Sequence, residues 1–240
     1  MLNAFQKLRQ ELLARSTRPF LARGKSVARC DQCQLAQQAC ICPWRRSLQS
    51  PVDFVLLLHH DEVFKPTNTG RLIADIFPAN TFAFEWSRTE PPQELLHLLA
   101  DPARFPVIVF PAEGGSGRVV YQDVPPATGG RRLTMVLLDG TWRQASRMFR
   151  ASPWLSHLPA FTFASPREGQ YAVRQAIREG QLATAEAAAE ILRLCGDENA
   201  GQVLSDYFAV FNEHYLATRG SRPVRPLAEH DRLAGAMEPV

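Results

Sequence analysis

Two groups of residues in this 240-residue chain have types and spacings that could do chemistry. The first is a run of four cysteines, Cys30-x2-Cys33-x6-Cys40-x-Cys42, followed by Pro43. Thiolates hold Zn²⁺ tetrahedrally at about 2.3 Å, and a Cys-x2-Cys turn supplies two ligands at the required bite. The Cys40-x-Cys42 pair is tighter than a standard knuckle. Backbone N–H groups and the nearby Arg29 would offset the thiolate charge. Buried structural thiols, a redox Cys-x-x-Cys and an iron–sulfur cluster are the competing readings. Four sulfurs in one short segment favour a structural Zn²⁺ held by Cys30, Cys33, Cys40 and Cys42. Cys195 lies in an apolar helical stretch and reads as core.

The second group is Leu138-Asp139-Gly140-Thr141-Trp142, where an apolar run gives way to a helical pattern. Asp139 or Thr141 could cap that helix, worth about 1 kcal/mol. Alternatively, Asp139 is a base or a ligand-orienting group at the mouth of a sheet. Gly140 permits a sharp turn or a close ligand approach. Upstream, His59-His60-Asp61-Glu62 leads to Asn68-Thr69-Gly70-Arg71-Leu72, in which Asn68 or Thr69 would cap a helix and Gly70 implies a close neighbour. The histidines lack the spacing of a metal site. The loop 111–117, with Pro111, Glu113 and Gly114, could wrap a nucleoside or be only a connection. Further on stand Tyr171-x2-Arg174 and Thr184 with Glu186, the latter pair reading as a helix start.

The elements that must position these residues follow from hydrophobic periodicity. Short apolar strands are predicted over 52–59, 81–85, 107–110, 133–138 and 160–163. Helices are predicted over 3–15, 68–77, 92–100, 141–150, 185–194 and 203–215, the first with Phe5, Leu8, Leu12 and Leu13 on one face. Strands alternating with helices predict an α/β fold, a mostly parallel sheet covered by helices on both faces. Ligands of such sheets sit beyond the C-terminal strand ends. That rule gathers His59, His60, the loop after Phe110 and residues 139–142 on one edge. The organisation is a basic N-terminal arm with the cysteine segment (1–48), a catalytic domain (49–220) and a flexible tail (221–240) carrying Pro223 and Pro226.

At 45% hydrophobic residues, the chain can bury one good core with a small satellite. Residues 1–46 hold nine Lys/Arg against two acids, whereas the rest holds eighteen against twenty-two. The arm, with Arg15, Arg18, Arg23 and Lys25, therefore suits a polyanion, the alternative being a solvated face. No apolar run approaches the roughly 20 residues that span a bilayer, and the N-terminus lacks the apolar stretch of a secretory signal. The cytoplasm is the expected compartment, and nothing in the chain calls for an obligatory protein partner.

Taken in order, these residues resemble the DTW-domain family, the tRNA-uridine aminocarboxypropyltransferases. The resemblance covers about 30–187. It rests on the four cysteines, on His59-x2-Glu62 with the Asn68–Leu72 string, on Asp139 to Trp142 with Ala145 and Met148, on Tyr171-x2-Arg174, and on Leu182-x-Thr184-x-Glu186-Ala187. Two departures are the inserted Gly140 and His60, where proline is common. The resemblance implies a SPOUT-like, knotted fold and S-adenosyl-L-methionine as co-substrate. It further implies transfer of the 3-amino-3-carboxypropyl group to N3 of a uridine in the tRNA variable loop, with release of 5′-methylthioadenosine. Asp139 and Glu62 are then the candidate bases, and Arg71 or Arg174 would pair with the donor carboxylate or an RNA phosphate. Phe110, Pro111, Glu113, Gly114, Leu138, Gly140, Thr141 and Trp142 would line the donor pocket. A SPOUT-like methyltransferase and a non-catalytic zinc-containing RNA-binding module are the rivals.

Overall fold

A computed structural model of the protein describes residues 1–16, 27–112, 117–126, 128–163 and 182–235. Six strands, β1 (Asp53–Leu58), β2 (Thr81–Glu85), β3 (Arg104–Val109), β4 (Val120–Tyr121), β5 (Arg132–Asp139) and β6 (Ala160–Phe161), form one sheet. Every pair is parallel, in the order β2-β1-β5-β3-β6-β4. Strand β4 is absent from the sequence-based expectation because two half-buried residues at a sheet edge leave no apolar run.

Seven helices lie among the described residues: α1 (Ala4–Arg15), α2 (Gly70–Ile76), α3 (Gln93–Ala100), α4 (Trp142–Ala151), α5 (Thr184–Leu194), α6 (Glu198–Gly220) and α7 (Ala228–Gly235), the last packed on α6 rather than on the sheet. Alternate residues of β5 divide between two cores, as the two-residue period of a strand requires. Leu133, Met135 and Leu137 pack with α2, α5 and α6, while Val136 and Leu138 pack with α3 and α4. Asp139 has the parity of the first set, so its side chain turns to the α2/α5 face. Along the switch between β1, β5 and β3, the register sets Leu58 beside Asp139 and Val109 beside Leu137. The C-terminal strand edge therefore does gather His59, Phe110 and residues 139–142.

Three expectations are corrected. Leu13 does not share the buried stripe of α1; Phe5 and Leu12 are buried and Leu13 is exposed. The cysteine segment is no satellite, because Cys33, Leu35 and Ile41 insert into the main core. The chain after Ser221 is not a loose end through residue 235. Arg232 pairs with Asp206 of α6 at 2.7 Å, and Arg46 Nε donates to the Leu233 carbonyl at 2.5 Å. These are polar clasps with one apolar anchor, Leu233, which hydrophobic periodicity cannot see. The knot implied by the resemblance depends on the path of 164–181, which lies outside the described residues.

Candidate active site and metal centre

Asp139 ends β5 and is 4% exposed. Its Oδ2 accepts from Asn68 Nδ2 at 2.7 Å and its Oδ1 from Thr184 Oγ1 at 2.9 Å. The Asn68 amide is oriented by its other end, where Oδ1 accepts from the Arg71 backbone N–H in the first turn of α2 at 3.0 Å; the cap position itself is Thr69. Thr184 is the first residue of α5; the cap position is Ala183, whose N–H donates to Glu186 Oε2 at 2.7 Å. The carboxylate thus lies between the starts of two helices. Gly70 makes that approach possible, since a Cβ there would overlap Asp139 Oδ2 and stand 3.1 Å from its Cγ.

Helix capping at the turn belongs to Thr141, not Asp139. Thr141 Oγ1 accepts from the Gln144 N–H at 3.3 Å, and Gln144 Oε1 accepts from the Thr141 N–H at 2.8 Å. That bond turns Gln144 Nε2 toward His59 Nδ1, 3.1 Å away. An amide N–H can only donate, so His59 Nδ1 accepts and the neutral ring carries its proton on Nε2. Burial pushes the His59 pKa down, against the upward pull of Asp61 and Glu62. Its ring stacks on Trp86 at 5.9 Å between centroids, and the His59 backbone N–H donates to the Asp139 backbone carbonyl at 2.9 Å.

The remaining sequence-predicted residues divide by location. Phe110 stacks on Phe149 at 4.4 Å and lies 6.4 Å from Trp142, making a half-buried aromatic wall beside the turn. Leu138 faces the α3/α4 core, and Pro111 is exposed at the end of β3. Glu62 is fully buried and takes Lys65 Nζ at 2.7 Å. Arg71 is 2% exposed and places its guanidinium over the Phe211 ring of α6, 5.2 Å from the centroid. Arg15 ends α1. Arg18, Arg23, Lys25, Glu113, Gly114, Tyr171 and Arg174 lie outside the described residues. Sequence reasoning missed Asn68 and Thr184 as partners of Asp139, and His59 with Gln144. Local pattern explained the first two as caps, and only contacts 71 and 45 positions apart reveal the second task.

A separate open groove, lined by Val52, Leu133, Arg131 and Cys195 among others, sits beyond the N-terminal strand ends. Ligands of parallel sheets favour the other edge. Burial raises the Cys195 thiol to about 11; the residue follows the last turn of α5, half-buried and packed against the core rather than within it.

The four cysteine sulfurs lie within 4.8 Å of one another. A tetrahedral Zn²⁺ with sulfurs at about 2.3 Å requires sulfur separations of roughly 3.8 Å. The Cys30–Cys42 and Cys33–Cys40 distances are 3.8 and 3.7 Å. Gln34, at φ 64°, makes the tight turn after Cys33, and its N–H returns to the Cys30 carbonyl at 2.8 Å. Hydrogen bonds from Cys42 and from the Ile41 and Leu35 backbone hold the Cys33 thiol down at about 4, despite burial. Burial and the Cys33 charge help to push Cys40 up to about 11. The donor set fits a soft divalent cation.

The fold and site define an α/β protein with an all-parallel sheet, a buried carboxylate at the C-terminal strand edge and a four-thiol cluster that could hold a metal packed into the same core. Residues 27–216 match the DTW domain, and the chain belongs to that family. It is similar to tRNA-uridine aminocarboxypropyltransferase 2 of Drosophila melanogaster, 25% identical over 173 residues. That match spans 68% of this chain and 65% of the relative, just under two thirds of its length. No solved structure matches the chain. Among the described residues, no helix is long and apolar enough to cross a membrane.

Proposed function

We propose that this protein modifies tRNA in the cytoplasm by transferring the 3-amino-3-carboxypropyl group of S-adenosyl-L-methionine to N3 of a variable-loop uridine. The observation that carries the reading is the Asp139 carboxylate held between Asn68 and Thr184 at the strand-end switch point of a DTW domain. The donor brings a sulfonium whose Cγ is open to attack. As the N3–Cγ bond forms, the Cγ–S bond breaks and its electron pair stays on sulfur, so neutral 5′-methylthioadenosine leaves. The imide proton of N3 passes to Asp139, general-base help that is typically worth about 10²–10⁴-fold. Presenting Cγ rather than the methyl group is a matter of orientation, which supplies roughly 7–11 kcal/mol in favourable cases.

The chain's own residues fit these tasks. Phe110, Trp142 and Phe149 offer an aromatic wall for the adenosine. His59, fixed with its proton on Nε2, offers a donor to a uracil carbonyl beside N3, where charge develops as the proton leaves. Glu62 is tied to Lys65 and shapes the turn after β1. The four cysteines hold a structural Zn²⁺.

The test is incubation of purified protein with tRNA and S-adenosyl-L-methionine, followed by nucleoside mass spectrometry and chromatography of the small products. Aminocarboxypropyluridine with methylthioadenosine supports the reading. Methylated nucleosides with S-adenosylhomocysteine would make the protein a methyltransferase, and RNA binding without donor binding would make it a non-catalytic module.

A further inference from the structure

Helix α4 leaves the candidate site directly, with Trp142 as its first residue. Ala145 and Met148 bury its inner face, while Arg143, Arg147 and Arg150 are all exposed. Their spacing of four and three residues aligns them in one stripe about 10 Å long at 1.5 Å rise per residue. The helix contains no acidic residue. Among the described residues none of the three arginines forms an ion pair, whereas Arg193, Arg222, Arg225 and Arg232 each meet a carboxylate.

This concentration of charge runs against its surroundings. Beyond residue 46 the chain has more acids than bases, so the stripe is not an overflow of general basicity. It is also poorly placed for the helix itself. Arg143 lies in the first turn, where the macrodipole favours acids, and Arg143 and Arg147 form a like-charged pair four residues apart. Helix stability therefore gives no reason for two of the three positions, and a polyanion does.

We infer that the exposed face of α4 is a docking surface for the tRNA backbone, with Arg143, Arg147 and Arg150 meeting phosphates flanking the target uridine. The inference rests on the tRNA reading above and adds the surface that reading needs: a base entering beside Trp142 brings its own backbone across α4. Arginine forks suit phosphate oxygens, and such contacts position the RNA without reading its sequence.

The experiment is equilibrium binding of fluorescently labelled tRNA to the full chain across a salt series, for the natural protein and for Arg143→Gln/Arg147→Gln/Arg150→Gln. Each phosphate contact contributes about 0.7–0.9 to the slope of log affinity against log salt. Loss of three contacts should lower that slope by roughly 2–3 and weaken binding at least tenfold at moderate salt, with donor binding by calorimetry unchanged. Arg147→Gln alone should lower the slope by about 1; it guards against misfolding of the triple variant. Natural protein that binds tRNA, with variants of equal slope and affinity, overturns the inference and leaves the functional reading intact. Natural protein with no affinity for tRNA overturns both. Natural protein that binds, loses slope in the variants, yet transfers nothing sinks the proposed chemistry and upholds the surface.

Discussion

Arg45 Nη2 stands 3.0 Å from Asp75 Oδ1, joining the cysteine segment to the helix that carries Gly70. The same nitrogen lies 3.7 Å from Cys42 Sγ. Asp75 also accepts from Asn3 Nδ2 at 2.8 Å and from the Tyr207 hydroxyl at 3.2 Å. Burial pushes the Asp75 carboxyl up, and the Arg45 charge pulls it back. Four elements therefore meet on one carboxylate, five residues along α2 from the glycine that seats Asp139.

Chelation is expected to remove about one zinc per chain and to loosen residues 29–45 together with α2, while the central strands hold. Zinc-finger peptides gain on the order of 10–16 kcal/mol from their metal. Here Leu35 and Ile41 are anchored in the main core, so the loss stays local. Hydrogen exchange before and after chelation checks this. Unchanged α2 protection in metal-free protein would break the proposed link.

Gly70→Ala should cost about 1–3 kcal/mol in stability, the usual range for overpacking, because its Cβ lands on the Asp139 carboxylate. A thermal melt measures the first effect. Transfer activity should fall further than unfolding explains, since Asp139 loses its seat.

Asp139→Asn should lower kcat by about 10²–10⁴-fold with little change in donor affinity. Thr184→Ala should lower kcat less, and Thr184→Ser, which keeps the hydroxyl, should restore it. Full transfer by Asp139→Asn at saturating donor would remove Asp139 as base.

The positions of the main strands were readable because apolar strands of four to eight residues carry their own signal. That signal placed 81–85 at its observed bounds and the other main strands within a few residues, while the order of the strands in the sheet was not predicted. Helix α6 begins five residues before the expected 203, because Asp197 caps it and its first turn is polar. What stayed hidden was long-range and polar. A threonine before Ala-Glu-Ala looks the same whether it caps its own helix or grips Asp139. That Arg71 would be buried with its guanidinium over the Phe211 ring of α6 could not be read from its own neighbours in sequence.

His59→Ala should lower kcat by about 10²–10³-fold if its Nε2–H steadies the uracil carbonyl, the range seen when one such donor is removed. Gln144→Ala, which frees the tautomer, should shift the acid limb of the rate–pH profile while leaving the fold intact. A profile that does not move would leave His59 with packing on Trp86 alone.

Glu213 ties α6 to the C-terminal segment, accepting Arg222 Nη1 at 2.5 Å and the Arg225 N–H at 2.8 Å. The Arg222 hydrogen bond, above all, lowers its carboxyl to about 2 from 4.5. A folded pKa below the unfolded one contributes stability above about pH 4.5 that fades as pH falls toward 2. Protection of α7 amides, taken relative to the intrinsic exchange rate at each pH, should therefore fall in that window, and Glu213→Gln should flatten the response. Parallel curves for the two proteins would count against the clasp.

The clasp also sets an order of events during synthesis. His230 packs edge-on against Trp44 at 4.9 Å, and Arg46 reaches the backbone of Leu233, 187 positions later. A ribosome adding about 5–20 residues each second makes Trp44 and Arg46 roughly 10–40 s before their partners on α7. The segment that follows the four thiols therefore waits for nearly the whole polypeptide before its last contacts can form, so this closure comes at the end of synthesis rather than at its start.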